Sequence, residues 1–193
     1  MSKMNKLNKS DILTSVIVLN YNAGGLLIDC IQSLVNNNNY KLEIIVVDNI
    51  SADNSHKICK EKFPEIKLIE NKENLGYCEG NNVGIRNASG EFIVILNPDT
   101  KVEPNWLEEL FNTYEKFGDG LYQPKIMAFE DNLFERGGNM VQMFGFGYSK
   151  GRGIQDKGQF DEPCEIGYAS GACLFTKTDI LKKYMYNEEF VYS

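Results

Sequence analysis

One stretch of this chain joins a buried-strand pattern to a carboxylate that could do chemistry. Phe92-Ile93-Val94-Ile95-Leu96 runs straight into Asn97-Pro98-Asp99-Thr100. The apolar run reads as a strand that stops abruptly and presents Asp99 at its C-terminal end. In open α/β sheets, ligands bind outside the carboxyl ends of the strands. A single Asp there suits a divalent cation, because Mg²⁺ takes one or two carboxylates together with substrate phosphates. The competing reading is that Asp99 only caps the helix that follows.

Two further strand ends should converge on the same rim. Residues 13–19 form a continuous apolar run closed by Asn20-Tyr21-Asn22 and Gly24-Gly25, and residues 42–47 end in Asp48-Asn49. A Tyr ring beside an Asp at adjacent strand ends can hold a flat nitrogenous base. The ring packs on its face and the carboxylate accepts from an imide or ribose donor. Loop packing for Tyr21 and a helix cap for Asp48 are the alternatives. Asn74-Leu75-Gly76-Tyr77-Cys78-Glu79-Gly80-Asn81-Asn82-Val83-Gly84 opens a helix. Its glycines allow close backbone approach to a ligand, and the free N–H groups of a helix start suit an anion. It is neither the dinucleotide G-x-G-x-x-G pattern nor a P-loop; a tight turn before an Asn-rich helix is the alternative.

The elements that must position these groups alternate in type. Helical spacing over residues 26–35 (Leu27, Ile28, Ile31, Leu34, Val35) follows the first strand. Residues 36–39 are a loop. Residues 51–55 supply turn and N-cap residues before a short helix near 56–62. Residues 66–69 read as a third strand, 76–88 contain a helix, and 92–96 are the fourth strand. Pro104 at an N1 position starts a helix through Trp106, Leu107, Leu110, Phe111 and Tyr114, which Gly118 and Gly120 end. Strands alternating with helices at short spacing mean βαβ units and a mostly parallel sheet. From residue 121 to 168 glycines are frequent and the helical period fades. Residues 140–148 read as a strand, a hairpin or an aromatic-rich loop, and 151–153 with 155–162 as an exposed loop. Residues 166–176 read as a strand and 178–184 as a short helix. The division is a flexible segment over 1–12 and one domain over 13–193.

Composition removes several function classes. At 193 residues, 42% hydrophobic and 24% charged, the chain is long enough for a real core and is not globally disordered. A net charge of 20 − 27 = −7 argues against broad binding to nucleic acid or anionic membranes. It leaves room for an anionic small ligand held by backbone N–H groups and a metal. Cys30, Cys59, Cys78, Cys164 and Cys173 are odd in number and form no C-x-x-C pair. They argue against structural zinc and a disulfide framework, and for a reducing interior. The one histidine, His56, sits in a polar turn after a strand, which disfavours a Ser-His-Asp triad. The N-terminal eleven residues lack an apolar signal region, and no apolar run reaches the length of a membrane span.

Residues 16–22, 46–55, 74–84 and 96–100, in this order and spacing, resemble the family 2 glycosyltransferases with the GT-A fold. The 151–161 loop and Tyr168-Ala169-Ser170-Gly171-Ala172-Cys173-Leu174-Phe175 resemble the rhamnosyltransferase-like branch of that family. The resemblance implies a Rossmann-like nucleotide-sugar-binding half over 13–118 and a partial, irregular acceptor-side half over 119–193. Asn20, Tyr21 and Asp48 would then help bind the nucleoside, and Asn74, Gly76 and Asn82 would lie along the ribose–diphosphate path. Gly171 and Ala172 would face the acceptor. Asp99 stands where the family's D-x-D motif has its metal-binding aspartate, for Mg²⁺ or Mn²⁺. Asn97 replaces the first Asp of that motif, so the metal would rest on Asp99 and the diphosphate.

By resemblance the reaction is inverting transfer from a dTDP-, UDP- or GDP-sugar to a hydroxyl of a glycan or lipid-linked acceptor. The expected setting is surface glycan assembly, cytoplasmic or peripheral at the inner face of the membrane. In this family the base is the Asp of a Glu-Asp pair, preceded by a segment like that starting at Tyr186. That pair is expected beyond Ser193, so no catalytic residue is assigned, and donor binding without efficient transfer is expected of this chain. Glu188 and Glu189 align with the approach to the motif and are not assigned the role. Alternatives are a non-catalytic nucleotide-sugar-binding module and a sugar-phosphate nucleotidyltransferase. The latter normally shows a basic Gly-rich loop after its first strand, and Asn20–Gly25 has no Lys or Arg.

Overall fold

A computed structural model describes residues 9–37, 39–129 and 132–189. Strands β1 (Leu13–Asn20), β2 (Lys41–Asp48), β3 (Lys67–Glu70) and β4 (Phe92–Leu96) alternate with helices α1 (Gly25–Asn36), α2 (Ser55–Lys62) and α3 (Gly76–Asn87). Helix α4 (Trp106–Phe117) follows. Short strands β5 (Ile126–Met127), β6 (Phe134–Arg136), β7 (Gly138–Val141) and β8 (Gly147–Lys150) come next. Strand β9 (Cys173–Lys177) and helix α5 (Thr178–Lys183) complete the order. The central sheet has the order β3-β2-β1-β4-β9. The first four strands are mutually parallel, and β9 pairs antiparallel with β4. The fold is therefore mixed α/β around a mainly parallel sheet flanked by helices.

Both sheet faces are covered, and the sequence shows why. Strand β4 is buried throughout, as its unbroken apolar run requires. Helix α1 turns Leu27, Cys30, Ile31 and Leu34 inward, and α4 turns Leu107, Leu110, Phe111 and Tyr114 inward, each set at helical spacing. Phe92 stacks on Phe175 of β9, ring centroids 5.2 Å apart, and meets Phe111 and Tyr114 edge-on. This aromatic cluster fastens β9 and α4 to the middle of the sheet. On the other face, α3 lies close to β1 because Gly80 and Gly84 leave room for Leu19 and Ile17. Those two glycines sit inside the helix and serve helix–sheet contact, a use different from the expected close approach to a ligand.

Several element bounds differ from the sequence reading. Within the 1–12 segment, Lys9–Asp11 form a 3-10 turn and Ile12 is buried. Pro104 precedes the N-cap: Asn105, at φ 64°, takes that position and α4 begins at Trp106. The 166–176 strand is shorter, because only Cys173–Lys177 pair with β4, while Gly167 bonds to Asn139 of β7, Ser170 to the Gln123 side chain and Ala172 to Asn97 and the Ser170 hydroxyl. The 140–148 stretch resolves as the hairpin β7–β8. His56 is buried in the first turn of α2, where the reading has a polar turn.

Candidate functional site

Strand order reverses between β1 and β4: the chain steps from β1 to β2 and β3 on one side, then returns to β4 on the other. The crevice beyond the C-terminal ends of β1 and β4 is the topological switch point, where open α/β sheets bind ligands. Asn20 and Tyr21 leave β1 on one side of it, and Asn97-Pro98-Asp99 leave β4 on the other.

Asp99 is held on a fixed turn. The Thr100 N–H donates to the Asn97 carbonyl at 3.2 Å, closing a β-turn with Pro98 and Asp99 at its two central positions. The Thr100 hydroxyl also donates to that carbonyl, and the Cys30 thiol lies 3.6 Å from it. From the other side, the Asn97 N–H donates to the Ala172 carbonyl at 3.0 Å. The next helix begins at Trp106 with Asn105 at its cap, so Asp99 does not cap it. Asp99 is exposed, and among the described residues its carboxylate makes no hydrogen bond or ion pair. The nearby Lys101 is committed to Asp29 at 2.9 Å.

Asn20 and Asp48 lie behind the rim. The Asn20 side-chain nitrogen is 2.7 Å from Asp48 Oδ1, 2.9 Å from Ser55 Oγ and 3.0 Å from Ser51 Oγ. Asp48 Oδ2 accepts from the Ser51 N–H at 2.9 Å, and His56 Nδ1 is 3.3 Å from Oδ1. Both carboxylate oxygens are therefore engaged inside the fold. Asp48 is buried and does not cap α2, which has no side-chain cap. Together with the bonds of Asn22 to Ser51 and Ala52, and of Gly24 to Asp53, this network joins the loops after β1 and β2. Tyr21 stands out of it, 55% exposed.

The chain matches the family model "Glycosyl transferase family 2" over residues 15–185. It belongs to glycosyl transferase family 2. A relative from Escherichia coli strain K12, the uncharacterized glycosyltransferase YibD, is 36% identical over 133 residues, 67% of this chain and 33% of that protein. Glycosyltransferase GlyG of Streptococcus pneumoniae serotype 4 is 32% identical over 107 residues, 54% of this chain and 36% of GlyG. The chain thus spans about a third of the length of these curated relatives. Among solved structures, the mannosyltransferase PcManGT from Pyrobaculum calidifontis in complex with GDP-Man and Mn²⁺ shares the fold. It has a TM-score of 0.65 and 18% identity, and the match covers 93% of this chain and 48% of that one.

In this family 2 domain the remaining candidate residues divide between rim and scaffold. Asn74 is exposed and its Oδ1 accepts from the Gly76 N–H at 2.9 Å, which shapes the turn into α3, with Gly76 at φ 72°. Asn82 is buried, and its amide takes both backbone groups of Tyr186. Its Nδ2 donates to the carbonyl at 2.9 Å, and its Oδ1 accepts the N–H at 3.0 Å. Asn82 thus ties the segment at Tyr186 to α3. Phe190 to Ser193, the rest of the segment starting at Tyr186, lie outside the described residues. Gly171 and Ala172 come to Asp99's side of the crevice through the Ala172–Asn97 bond. Gly171 also accepts the Tyr77 hydroxyl at 2.8 Å.

Two side chains, Asn49 and Tyr77, are structurally prominent but unassigned from the sequence. Asn49 donates to the Gly76 carbonyl at 3.0 Å and accepts from Asn71 at 2.8 Å, tying β2 and the residue after β3 to the start of α3. Tyr77 bonds to Gly171 across 94 residues of sequence. Asn49 was visible beside Asp48, but nothing local marks the distant partners. Thiolate chemistry is disfavoured. Burial pushes Cys30 and Cys173 each up to about 12, with Cys173, Cys59 and Asp99 adding to the rise at Cys30. Among the described residues no group of three His, Cys, Asp or Glu side chains could hold a metal by itself.

Proposed function

We propose that this family 2 domain binds a nucleoside-diphosphate sugar in the crevice between β1 and β4 and serves inverting transfer of the sugar to an acceptor hydroxyl. The carrying observation is Asp99: an exposed carboxylate at the switch point, with no hydrogen-bond or ion-pair partner among the described residues, on a turn tied to Cys30 of α1 and to Ala172 just before β9. One carboxylate fits a Mg²⁺ or Mn²⁺ ion that shares its coordination with a diphosphate, and does not fit a cation held by protein alone. Bound there, the ion would supply charge stabilisation for the leaving diphosphate. Tyr21 packs on the base, while Asn74 and Gly76 border the ribose–diphosphate path. Asn20 and Asp48 act from behind as the frame that holds Tyr21. Asn82 positions the 184–187 segment, and Gly171 and Ala172 adjoin the acceptor.

A base must deprotonate the acceptor hydroxyl as it attacks the anomeric carbon opposite the leaving group. General-base help of this kind contributes roughly 10²–10⁴-fold in rate. Glu188 and Glu189 are exposed, and neither is assigned that role. The donor sugar by resemblance is a deoxysugar such as rhamnose, and the setting is glycan assembly at the cytoplasmic face. Equilibrium dialysis with UDP-, GDP- and dTDP-sugars in the presence of Mn²⁺ tests the reading. Saturable binding of at least one donor is expected; no retention of any of the three would overturn it.

A further inference from the structure

The β7–β8 hairpin ends in a tip with no counterpart in the site described above. Between the strands, the Gln142 N–H donates to the Phe146 carbonyl at 3.0 Å and the Gly145 N–H to the Gln142 carbonyl at 2.8 Å, with Gly145 at φ 84°. The tip is a closed, hydrogen-bonded turn. It holds Met143, Phe144 and Phe146 at 90%, 78% and 68% exposure. Scattered surface apolar residues are ordinary, but three large ones on one five-residue turn are a contiguous patch that marks an interaction surface.

What covers the tip is indicated by the charges at its base. The segment 134–152 carries Arg136, Lys150 and Arg152 against Glu135 alone, 3 − 1 = +2, in a chain whose net charge is −7. Glu135 is paired with Arg152 at 2.9 Å. Among the described residues no carboxylate pairs with Arg136 or Lys150; of the acids in the following loop, Asp156 and Asp161 are taken by Lys125, while Glu162 and Glu165 are exposed further along the chain. Arg136 and the Arg152–Glu135 pair line an open cavity of about 380 Å³ with Tyr148, Ser149 and Tyr168. Apolar side chains at a tip, aromatic Tyr148 at half exposure behind them and unpaired cations behind that reproduce the layering of an anionic bilayer surface.

We propose that the β7–β8 hairpin docks this domain on an anionic membrane surface. The tip enters the acyl–headgroup boundary, and Arg136 and Lys150 meet lipid phosphates. The overall acidity of the chain confines the contact to this hairpin, because like charge elsewhere is repelled by the same surface. The proposal is independent of the donor-site reading, since the hairpin contains none of its residues.

Co-sedimentation of the 193-residue chain with vesicles of phosphatidylcholine, with and without phosphatidylglycerol, tests it. Binding to the phosphatidylglycerol vesicles that weakens at high salt is expected, with little on phosphatidylcholine alone. The triple variant Met143→Ser/Phe144→Ser/Phe146→Ser should lose at least about tenfold in partitioning, and Arg136→Gln/Lys150→Gln should lose the salt-sensitive part. These side chains are exposed or half-buried, and circular dichroism with an unchanged melting curve checks the fold of each variant. Failure of the wild-type chain to bind, or unchanged binding by the tip variant, would overturn the proposal. So would a concentration-dependent dimer in light scattering that the tip variant abolishes, which would assign the tip to a second copy.

Discussion

The Asn97 N–H donates to the Ala172 carbonyl at 3.0 Å, extending the pairing of β4 and β9 one residue beyond the strands. Through that bond the turn bearing Asp99 and the segment containing Gly171 become one rigid wall of the crevice. Tyr77 adds a second tie, from α3 to the Gly171 carbonyl at 2.8 Å. A donor in the crevice would thus contact a wall whose parts come from residues far apart in the chain.

The wall leaves no space at Gly171. A Cβ there would collide with the Tyr77 hydroxyl. Gly171→Ala is expected to destabilise the domain by about 1–3 kcal/mol through overpacking. The double variant Gly171→Ala/Tyr77→Phe should recover part of that loss. Urea denaturation of Gly171→Ala, Tyr77→Phe and the double variant measures the coupling.

Gly84 poses the same constraint on the opposite side of β1, where a Cβ would meet Ile17. Gly84→Ala improves intrinsic helix propensity by about 1 kcal/mol. It is nevertheless expected to lower stability, because α3 must move off the sheet. A melting temperature that rises would show that the helix can shift without cost.

Ile50, in the loop after β2, has φ 60° and is exposed. A β-branched residue in the left-handed region is a genuine outlier, with a cost on the order of 1–3 kcal/mol. Ile50→Gly is expected to stabilise the fold by about 1 kcal/mol, relief of strain outweighing the added freedom of the unfolded chain. The measurement is the denaturation midpoint. Unchanged or lower stability would mean that the Ile50 side chain has a compensating contact.

Glu43 makes the acid stability of the sheet depend on pH. Burial works to raise its pKa, but hydrogen bonds from the Ser15 hydroxyl and from the Ser89 N–H and hydroxyl, with Lys67 nearby, outweigh it and hold the carboxyl below its ordinary value. A depressed folded pKa contributes stability above the unfolded value of about 4.3. That contribution is lost as pH falls through the folded value. Glu43→Gln should therefore be destabilising near neutrality, and its difference from wild type should shrink as pH drops below about 4. Parallel stability curves across that window would contradict this.

Much of the framework was legible because its signals are local. Unbroken apolar runs marked β1, β2 and β4, and helical spacing marked α1 and α4. Asp99 was legible as a strand-end carboxylate, and the position of Asn105 separates it from the capping alternative. The division of labour around it was less legible. Asp48 and Asn82 read as ligand contacts because polar residues at strand ends and helix starts are good candidates. Asp48 is also engaged by Asn20, Ser51 and His56, and Asn82 by Tyr186; the bonds to Asn20 and Tyr186 join residues far apart in the chain and leave no local pattern. The shortening of the 166–176 strand has the same origin. Its apolar and small residues fit a strand, but Gly167, Ser170 and Ala172 find partners in Asn139, Gln123 and Asn97.

The central claim is that Asp99 holds a metal only together with a diphosphate. Isothermal titration of wild type and Asp99→Ala with UDP, GDP and dTDP, each with and without Mn²⁺, tests it most directly. The account expects Mn²⁺-dependent binding of at least one nucleotide by wild type, negligible heat from Mn²⁺ alone, and loss of the metal dependence in Asp99→Ala with the fold retained. Equal nucleotide affinity in Asp99→Ala and wild type with Mn²⁺ present would contradict it.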